Sequence, residues 1–292
     1  MTDEILQPPA IDTPDEQGGE SDIQEEMLQQ PVREQCEQVS AIMIVQDARR
    51  LGMARTGVNT FMQQTYQRKE MVIVNGSGQM VTNRDHPWVR EFTVDPVQYP
   101  TIGALRNYGI ERATGDWMMQ WDDDDHSHPH RIAFQMAHRR DGCCVVLSNQ
   151  IRVDVRETII CVHNDANGIA GTILFPKSTD PLWEAKYAED PKVRREDEDL
   201  LAHFGRNKVV LDNNQTWFPG PAMHMAVHHG LNVRTREEFF GEFVDPRYKG
   251  LNCSNLAEQM LKYVQAALAP HGVRIERRST GEPSVDGSMT HE

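Results

Sequence analysis

"LRNYGIERATGDWMMQWDDDDHSHPHRIAFQ" spans residues 105–135, and its reading decides the fold. The first part completes a helical pattern. Ile102, Leu105, Ile110 and Ala113 keep helical spacing between Thr101 and Thr114, and Gly115 is expected to end the helix. "DWMMQW" (116–121) then reads as a strand that runs without a linker into four aspartates. A second helix is predicted from about Pro129, a residue suited to a first helical turn, to about Arg140. Four adjacent carboxylates repel, so the run costs stability unless water or a cation screens it. Its place directly after a buried-type strand sets its first members at the edge of a core. In an extended chain alternate side chains share a side, so Asp122 and Asp124 are expected to point together, away from Asp123 and Asp125. Two converging carboxylates suit a hard divalent cation, Mg²⁺ or Mn²⁺, with positions left open for phosphate. An EF-hand is a poor fit, since no glycine stands at the sixth loop position and no acid at the twelfth. His126, His128 and His130 read as solvated loop residues ahead of the helix.

Strands and helices alternate on both sides of this segment. "VSAIMIV" (39–45) is an apolar run of the kind buried on both faces. Thr56 is expected to cap a helix that carries Val58, Phe61 and Met62. "MVIV" (71–74) is a second buried strand, closed by the turn "NGSG" (75–78), and "WVREFTV" (88–94) a third. "CCVVLS" (143–148) follows the second helix. This order predicts a mostly parallel sheet with helices on both faces, which binds ligands at the carboxyl ends of its strands. Beyond residue 150 the pattern weakens. "IRVDV" and "TIICVH" are expected to be extra strands or a hairpin, "TILFP" (172–176) and "KVVLD" (208–212) short strands, and "EDEDLLAHFG" (196–205) a helix. A last helix is expected after Ser254, through Leu256, Met260, Val264 and Leu268.

The 292 residues suffice for one large domain. Residues 1–38 hold eleven Asp/Glu against the single Arg33, a balance of −10 out of the chain's −14. That acidic stretch is expected to be a disordered tail, because it holds too little apolar surface to offset ordering entropy. Residues 276–292 are expected to be a second flexible tail. Five cysteines without metal-ligand spacing, two of them adjacent at Cys143 and Cys144, point to free thiols in a reducing compartment. No signal-peptide pattern and no apolar run of membrane-spanning length is visible, so a cytoplasmic protein without an integral membrane segment is expected.

The segment 105–135 resembles the central region of family 2 glycosyltransferases of the GT-A fold. Arg106, Asn107, Gly109, Ile110, Ala113, Gly115, Asp116, Asp122, Asp124, Asp125, Pro129, Arg131 and Gln135 fall on that family's pattern. The likeness extends back to "QQTYQRKEMVIVNGSG" (63–78) and forward to "REDEDLLAHF" (195–204). A weaker echo is "HHGLN" (228–232). It implies a Rossmann-like GT-A domain over residues 39–275. Residues 39–150 form its nucleotide-sugar half, and 151–275 a smaller, mixed acceptor half with the C-terminal helix.

The resemblance also implies an activity: inverting transfer of a sugar from a nucleotide-diphosphate donor to an acceptor hydroxyl, with Mn²⁺ or Mg²⁺ as cofactor. It assigns Asp122 and Asp124 to the metal, with a late histidine, His229 or equally His228, as a further candidate, and Asp122, Asp123 and Arg106 to the donor. Asp197 becomes the general base, with Glu196 beside it. The family places acids at its second strand end, where this chain has Asn75; Asp47, at the first strand end, is the substitute candidate for the nucleobase. UDP is the default nucleotide. The acceptor remains open among soluble glycans, small molecules and hydroxymethylated bases in DNA. Arginine pairs such as Arg49/Arg50 are candidate phosphate contacts. The oligomeric state is open. Two other classes stay in view: a donor-binding module without turnover, and a nucleotidyltransferase, which "RRLGMARTG" (49–57) disfavours for want of a glycine-rich phosphate loop.

Overall fold

Strand β1 (Val39–Val45) is hydrogen-bonded on both sides, and its alternate residues feed two different cores. Val39, Ala41, Met43 and Val45 meet helix α1 (Leu51–Met62) and helix α3 (Arg131–Ala137) on one face. Ile42 meets helix α2 (Ile102–Arg112) and helix α4 (Glu196–Phe204) on the other. Each fully buried Ile or Met contributes roughly 1.5–3 kcal/mol. The computed structural model describes residues 37–82, 86–154, 159–178, 185–193, 195–213 and 223–229, all within one unit, Glu37–Glu292. The acidic tail, Arg194, the helix expected after Ser254 and the C-terminal tail lie outside the described residues.

The main sheet has seven strands in the order β10-β6-β9-β4-β1-β2-β3. β2 is Lys69–Asn75, β3 Val89–Thr93, β4 Trp117–Gln120, β6 Cys144–Leu147, β9 Leu174–Pro176 and β10 Lys208–Leu211. All neighbours are parallel except β9, which runs antiparallel between β4 and β6. The chain is thus an α/β protein with a mostly parallel sheet flanked by helices. A second sheet, in the order β5-β11-β7-β8, holds β5 (His126–Ser127), β7 (Asn149–Asp154), β8 (Ile159–Asn164) and β11 (His224–His228). β7 and β8 form the hairpin. No helix among the described residues is long and apolar enough to cross a membrane.

Several local expectations shift. α1 begins at Leu51, so Thr56 lies inside it and its hydroxyl donates back to Gly52 O (3.2 Å) instead of capping. Thr101 does cap α2, its Oγ1 accepting from Ala104 N–H (3.1 Å). Gly115 stands beyond that helix's end, and close packing explains it: a Cβ there would lie 2.6 Å from Ser40 Oγ. Gly205, at φ 51°, does end α4. α3 starts at Arg131, two residues after Pro129, because His128 closes a turn by accepting Arg131 N–H (2.9 Å) on its carbonyl. His126 and His128 are buried, the first in β5, whereas His130 is exposed as a loop residue would be. Cys144 is a buried free thiol and Cys143 a half-buried one.

Candidate active site

The aspartates leave β4 at the carboxyl end of the sheet. Trp121 fixes the exit: it is buried, its ring edge meets Phe61, and its Nε1–H donates to Gly57 O (3.2 Å). The chain then turns, with Asp125 N–H near Asp122 O (3.4 Å), and enters β5. Because residues 122–125 turn, the alternation expected of an extended run does not hold. Asp123 and Asp124 share Arg50, while Asp122 and Asp125 go elsewhere. Arg131 braces this turn from below. It is buried, donates to Ser127 Oγ (2.9 Å), Gln120 O (3.3 Å) and Gln135 Oε1 (3.2 Å), and lies over the Trp121 ring. Gln135 in turn donates to Val145 O (3.0 Å) and Thr172 O (2.8 Å). Both residues are scaffold.

Each aspartate has its own environment. Asp122 accepts from Arg106 Nη2 (2.8 Å) and Gln120 Nε2 (3.1 Å). Asp123 accepts from Arg50 Nε (2.9 Å) and Nη2. Burial, and then the charge of Asp124, push its pKa up to about 7 against the pull of Arg50. Asp124 Oδ2 contacts both Arg50 Nη2 (2.8 Å) and His229 Nε2 (3.0 Å). Burial opposes its ionisation, but His229 and Arg50 hold its pKa below the usual range. Asp125 accepts from Val227 N–H (3.1 Å) and lies 3.3 Å from His224 Nε2. Burial, with the charges of Asp124 and Asp122, raises it well above a carboxylate's ordinary value, and burial drives His224 well below an imidazole's. The run therefore holds neighbours pushed in opposite senses, Asp124 toward ionisation and Asp125 toward its protonated form, with His224 pushed toward the neutral imidazole.

Arg106 links this turn to α4. It is buried, pairs with both Asp122 and Glu196, and lies 5.0 Å from the Tyr187 ring centre. Tyr187 O–H donates to Gln120 Oε1 (3.1 Å), so Arg106, Asp122, Gln120 and Tyr187 close a ring of contacts. A strap over residues 185–189 delivers Tyr187. Asn107 grips the strap, its Nδ2 donating to Tyr187 O (2.9 Å) and its Oδ1 accepting from Tyr187 N–H (2.9 Å). Burial leads the forces on Glu196 and raises its pKa, with Asp197 acting in the same sense and Arg106 against it.

The aspartate turn, Arg106, Gln120, Glu196 and His224 line a cavity of about 480 Å³ at the strand ends, between α2, α4 and the polar face of the second sheet. Asp122, Asp123, Asp124, Arg106, Glu196 and Asp197 all border it. Asp122 and Asp197 both approach Gly171: a Cβ there would lie 3.7 Å from Asp122 Oδ2 and 4.0 Å from Asp197 Oδ2. His229 is outside the lining, although its Nε2 contacts Asp124, and the structure does not bring Asp47 or Asn75 into it either. Asp47 accepts from Arg49 N–H (2.8 Å) and Arg49 Nε (2.8 Å), capping the turn Ala48–Arg50, and its pKa falls to about 2. Asn75 is buried, donates to Gln79 O (2.7 Å) and Glu91 Oε1 (2.6 Å), and accepts from Ser77. Both side chains are consumed in shaping loops. Sequence reading missed Gln120, Tyr187 and His224. Gln120 sits two residues before the aspartates, but Tyr187 belongs to no motif.

As arranged, no group of three or more His, Cys, Asp or Glu side chains among the described residues is placed to hold a metal. The donor chemistry at Asp124 and His229 nonetheless fits a Mn²⁺ or Mg²⁺ ion whose remaining positions are filled by phosphate and water, the usual mode for such ions.

The fold defines a class: α/β, with a mostly parallel sheet carrying its cavity at the strand ends. No family model and no curated protein matches the chain. Among solved structures it is similar to TarS of S. aureus, residues 1–349, at 14% identity over 80% of this chain and 79% of that one, with a TM-score of 0.47. The same fragment with UDP-GlcNAc gives 14% identity, 80% and 66% coverage and a TM-score of 0.48. With UDP the figures are 14%, 80%, 70% and 0.46. Likenesses of this size leave the chemistry to the chain's own residues.

Proposed function

We propose that this protein is an inverting glycosyltransferase that moves a sugar from a nucleotide-diphosphate donor, UDP-linked by default, to an acceptor hydroxyl. The observation that carries the reading is that Asp122 and Asp197, from the aspartate turn and the start of α4, both come close to Gly171 in one cavity. A carboxylate on one side of a reacting sugar can take the acceptor's proton, while charge grows on the departing diphosphate at the other. Asp197 is the proposed base. Arg106, held between Asp122 and Glu196, supports the donor side and fixes the start of α4. The pairing with Arg106 makes Glu196 a positioning residue in this reading. A Mn²⁺ or Mg²⁺ ion, held by Asp124 and His229 beside Asp122, supplies Lewis-acid stabilisation of the leaving diphosphate when bound. Among acceptors, the reading keeps soluble glycans, small molecules and hydroxymethylated DNA bases.

The test is calorimetric titration with a panel of nucleotide sugars, with and without Mn²⁺, followed by product analysis with candidate acceptors. UDP-sugar binding is expected. Asp197→Asn should keep that binding and lose transfer, and Asp124→Asn should lose its metal-dependent part. Absence of binding to every nucleotide sugar in both conditions overturns the reading. Binding without turnover on any acceptor makes the protein a donor-binding module.

A further inference from the structure

We propose that Arg50 is a built-in counter-ion of the aspartate turn that competes with a divalent cation for Asp124, and that once displaced it binds the donor's phosphates. The inference rests on the donor reading above. Arg50 ends the short turn Ala48–Arg50 at the start of α1, and its side chain is 15% exposed. Its guanidinium spans two carboxylates: Nε and Nη2 contact Asp123, and the same Nη2 lies 2.8 Å from Asp124 Oδ2. That oxygen also meets His229 Nε2 at 3.0 Å.

Carboxylate oxygens are the groups a hard cation needs, and here the nearest one is engaged by a positive charge. A metal and the Arg50 contact cannot both use Asp124 Oδ2 in its present geometry. An imidazole can change from hydrogen-bonding partner to ligand through its tautomer. A guanidinium carries its charge permanently and must move. Arg50 borders the cavity, so a released guanidinium remains at the wall where a diphosphate would lie, and its planar fork suits phosphate oxygens. A purely structural ion pair would make a different prediction, because Mn²⁺ affinity would then not improve when the arginine is removed.

The experiment compares the full chain with Arg50→Gln and Arg50→Lys. Mn²⁺ binding without nucleotide is followed by the EPR signal of free Mn²⁺, thermal midpoints with and without Mn²⁺, and UDP binding in saturating Mn²⁺. In R50Q the metal-free midpoint should fall by several degrees and recover with Mn²⁺. Its Mn²⁺ affinity should tighten by about tenfold, and its UDP affinity should weaken by about tenfold, as expected for loss of one charged contact. Unchanged or weaker Mn²⁺ binding in R50Q overturns the proposal. If R50Q does not fold, R50K decides: a single ammonium grips two carboxylates less well, so tighter Mn²⁺ binding supports the proposal and equal binding overturns it. Absence of Mn²⁺ binding in all forms also overturns it, while metal-free UDP-sugar binding would still uphold the donor reading. The converse result, Mn²⁺ competition with no nucleotide-sugar binding, overturns the donor reading and keeps Arg50 as the metal's competitor.

Discussion

Arg106 and Glu196 stand ninety positions apart and form a buried ion pair, with Asp122 on the other arm of the same guanidinium. Removing one partner of such a pair leaves charge buried without compensation. Arg106→Met is therefore expected to lower stability by about 3–5 kcal/mol in urea denaturation at neutral pH. The deficit should shrink on acidification, because burial already raises the Glu196 pKa and a protonated carboxyl no longer needs its cation. A deficit independent of pH would show that packing around Tyr187, and not charge, is what Arg106 provides.

Tyr187 is expected to act through Gln120. Tyr187→Phe removes the donor to a buried amide oxygen, which costs about 1–3 kcal/mol. Gln120 also donates to both Asp122 oxygens, so its reorientation loosens the carboxylate. UDP affinity should fall a few-fold by calorimetry. An affinity equal to that of the unaltered chain would separate Tyr187 from the donor site.

Gly103 permits the strap to dock. A Cβ on it would lie 1.9 Å from Ala188 O and 2.8 Å from Ala188 C, both backbone atoms that cannot rotate away. Gly103→Ala should destabilise the protein by about 1–3 kcal/mol, the usual cost of overpacking. It should also speed hydrogen exchange at the Tyr187 amide, which Asn107 protects. Asn107→Ala should reproduce the exchange effect without the steric one.

His128 should give a pH signature. Burial, with a smaller contribution from His130, lowers its pKa to about 4, and its Nδ1 accepts His130 N–H at 3.2 Å. The unfolded imidazole, near pKa 6.5, binds a proton that the folded one refuses between about pH 6.5 and 4. Its contribution is thus present above that window and is lost as pH falls through it, at up to about 1.4 kcal/mol per pH unit. Asp123, raised to about 7, acts with the opposite sign over much of the same range. The readable quantity is the stability difference between the unaltered chain and His128→Gln from pH 7 to 4. That difference should move against the unaltered chain on acidification, and a flat difference would place His128 in water.

Much of the fold was legible because apolar runs leave little choice. β1 is apolar at six of its seven positions and buries both faces, and the cap at Thr101 is a local hydrogen bond that needs no distant partner. The cavity-lining acids were legible because four aspartates cannot be placed cheaply after a buried strand. What the sequence hid depends on contacts far along the chain. Arg50 reaches the aspartates 73 positions later, and Tyr187 is brought in by a strap that Asn107 holds from 80 positions away. The direction of each aspartate followed a turn that alternation cannot foresee. Asn75 and Asp47 look like ligands in a list of residue types, yet their hydrogen bonds are spent within four residues or on the neighbouring strand.

The pairing of the aspartate turn with β11 also sets an order of events. Asp125 and Asp124 meet Val227 and His229, partners 102 and 105 positions further along the chain. At synthesis rates of about 5–20 residues per second, the nascent chain carries the run for roughly 5–20 seconds before those two partners are made. Among the described residues this clasp is thus completed last. A ribosome-stalled chain ending before His224 should hold its first parallel strands together with Arg50 and Arg106 already on Asp122, Asp123 and Asp124, while Asp125 still waits for Val227 and His224.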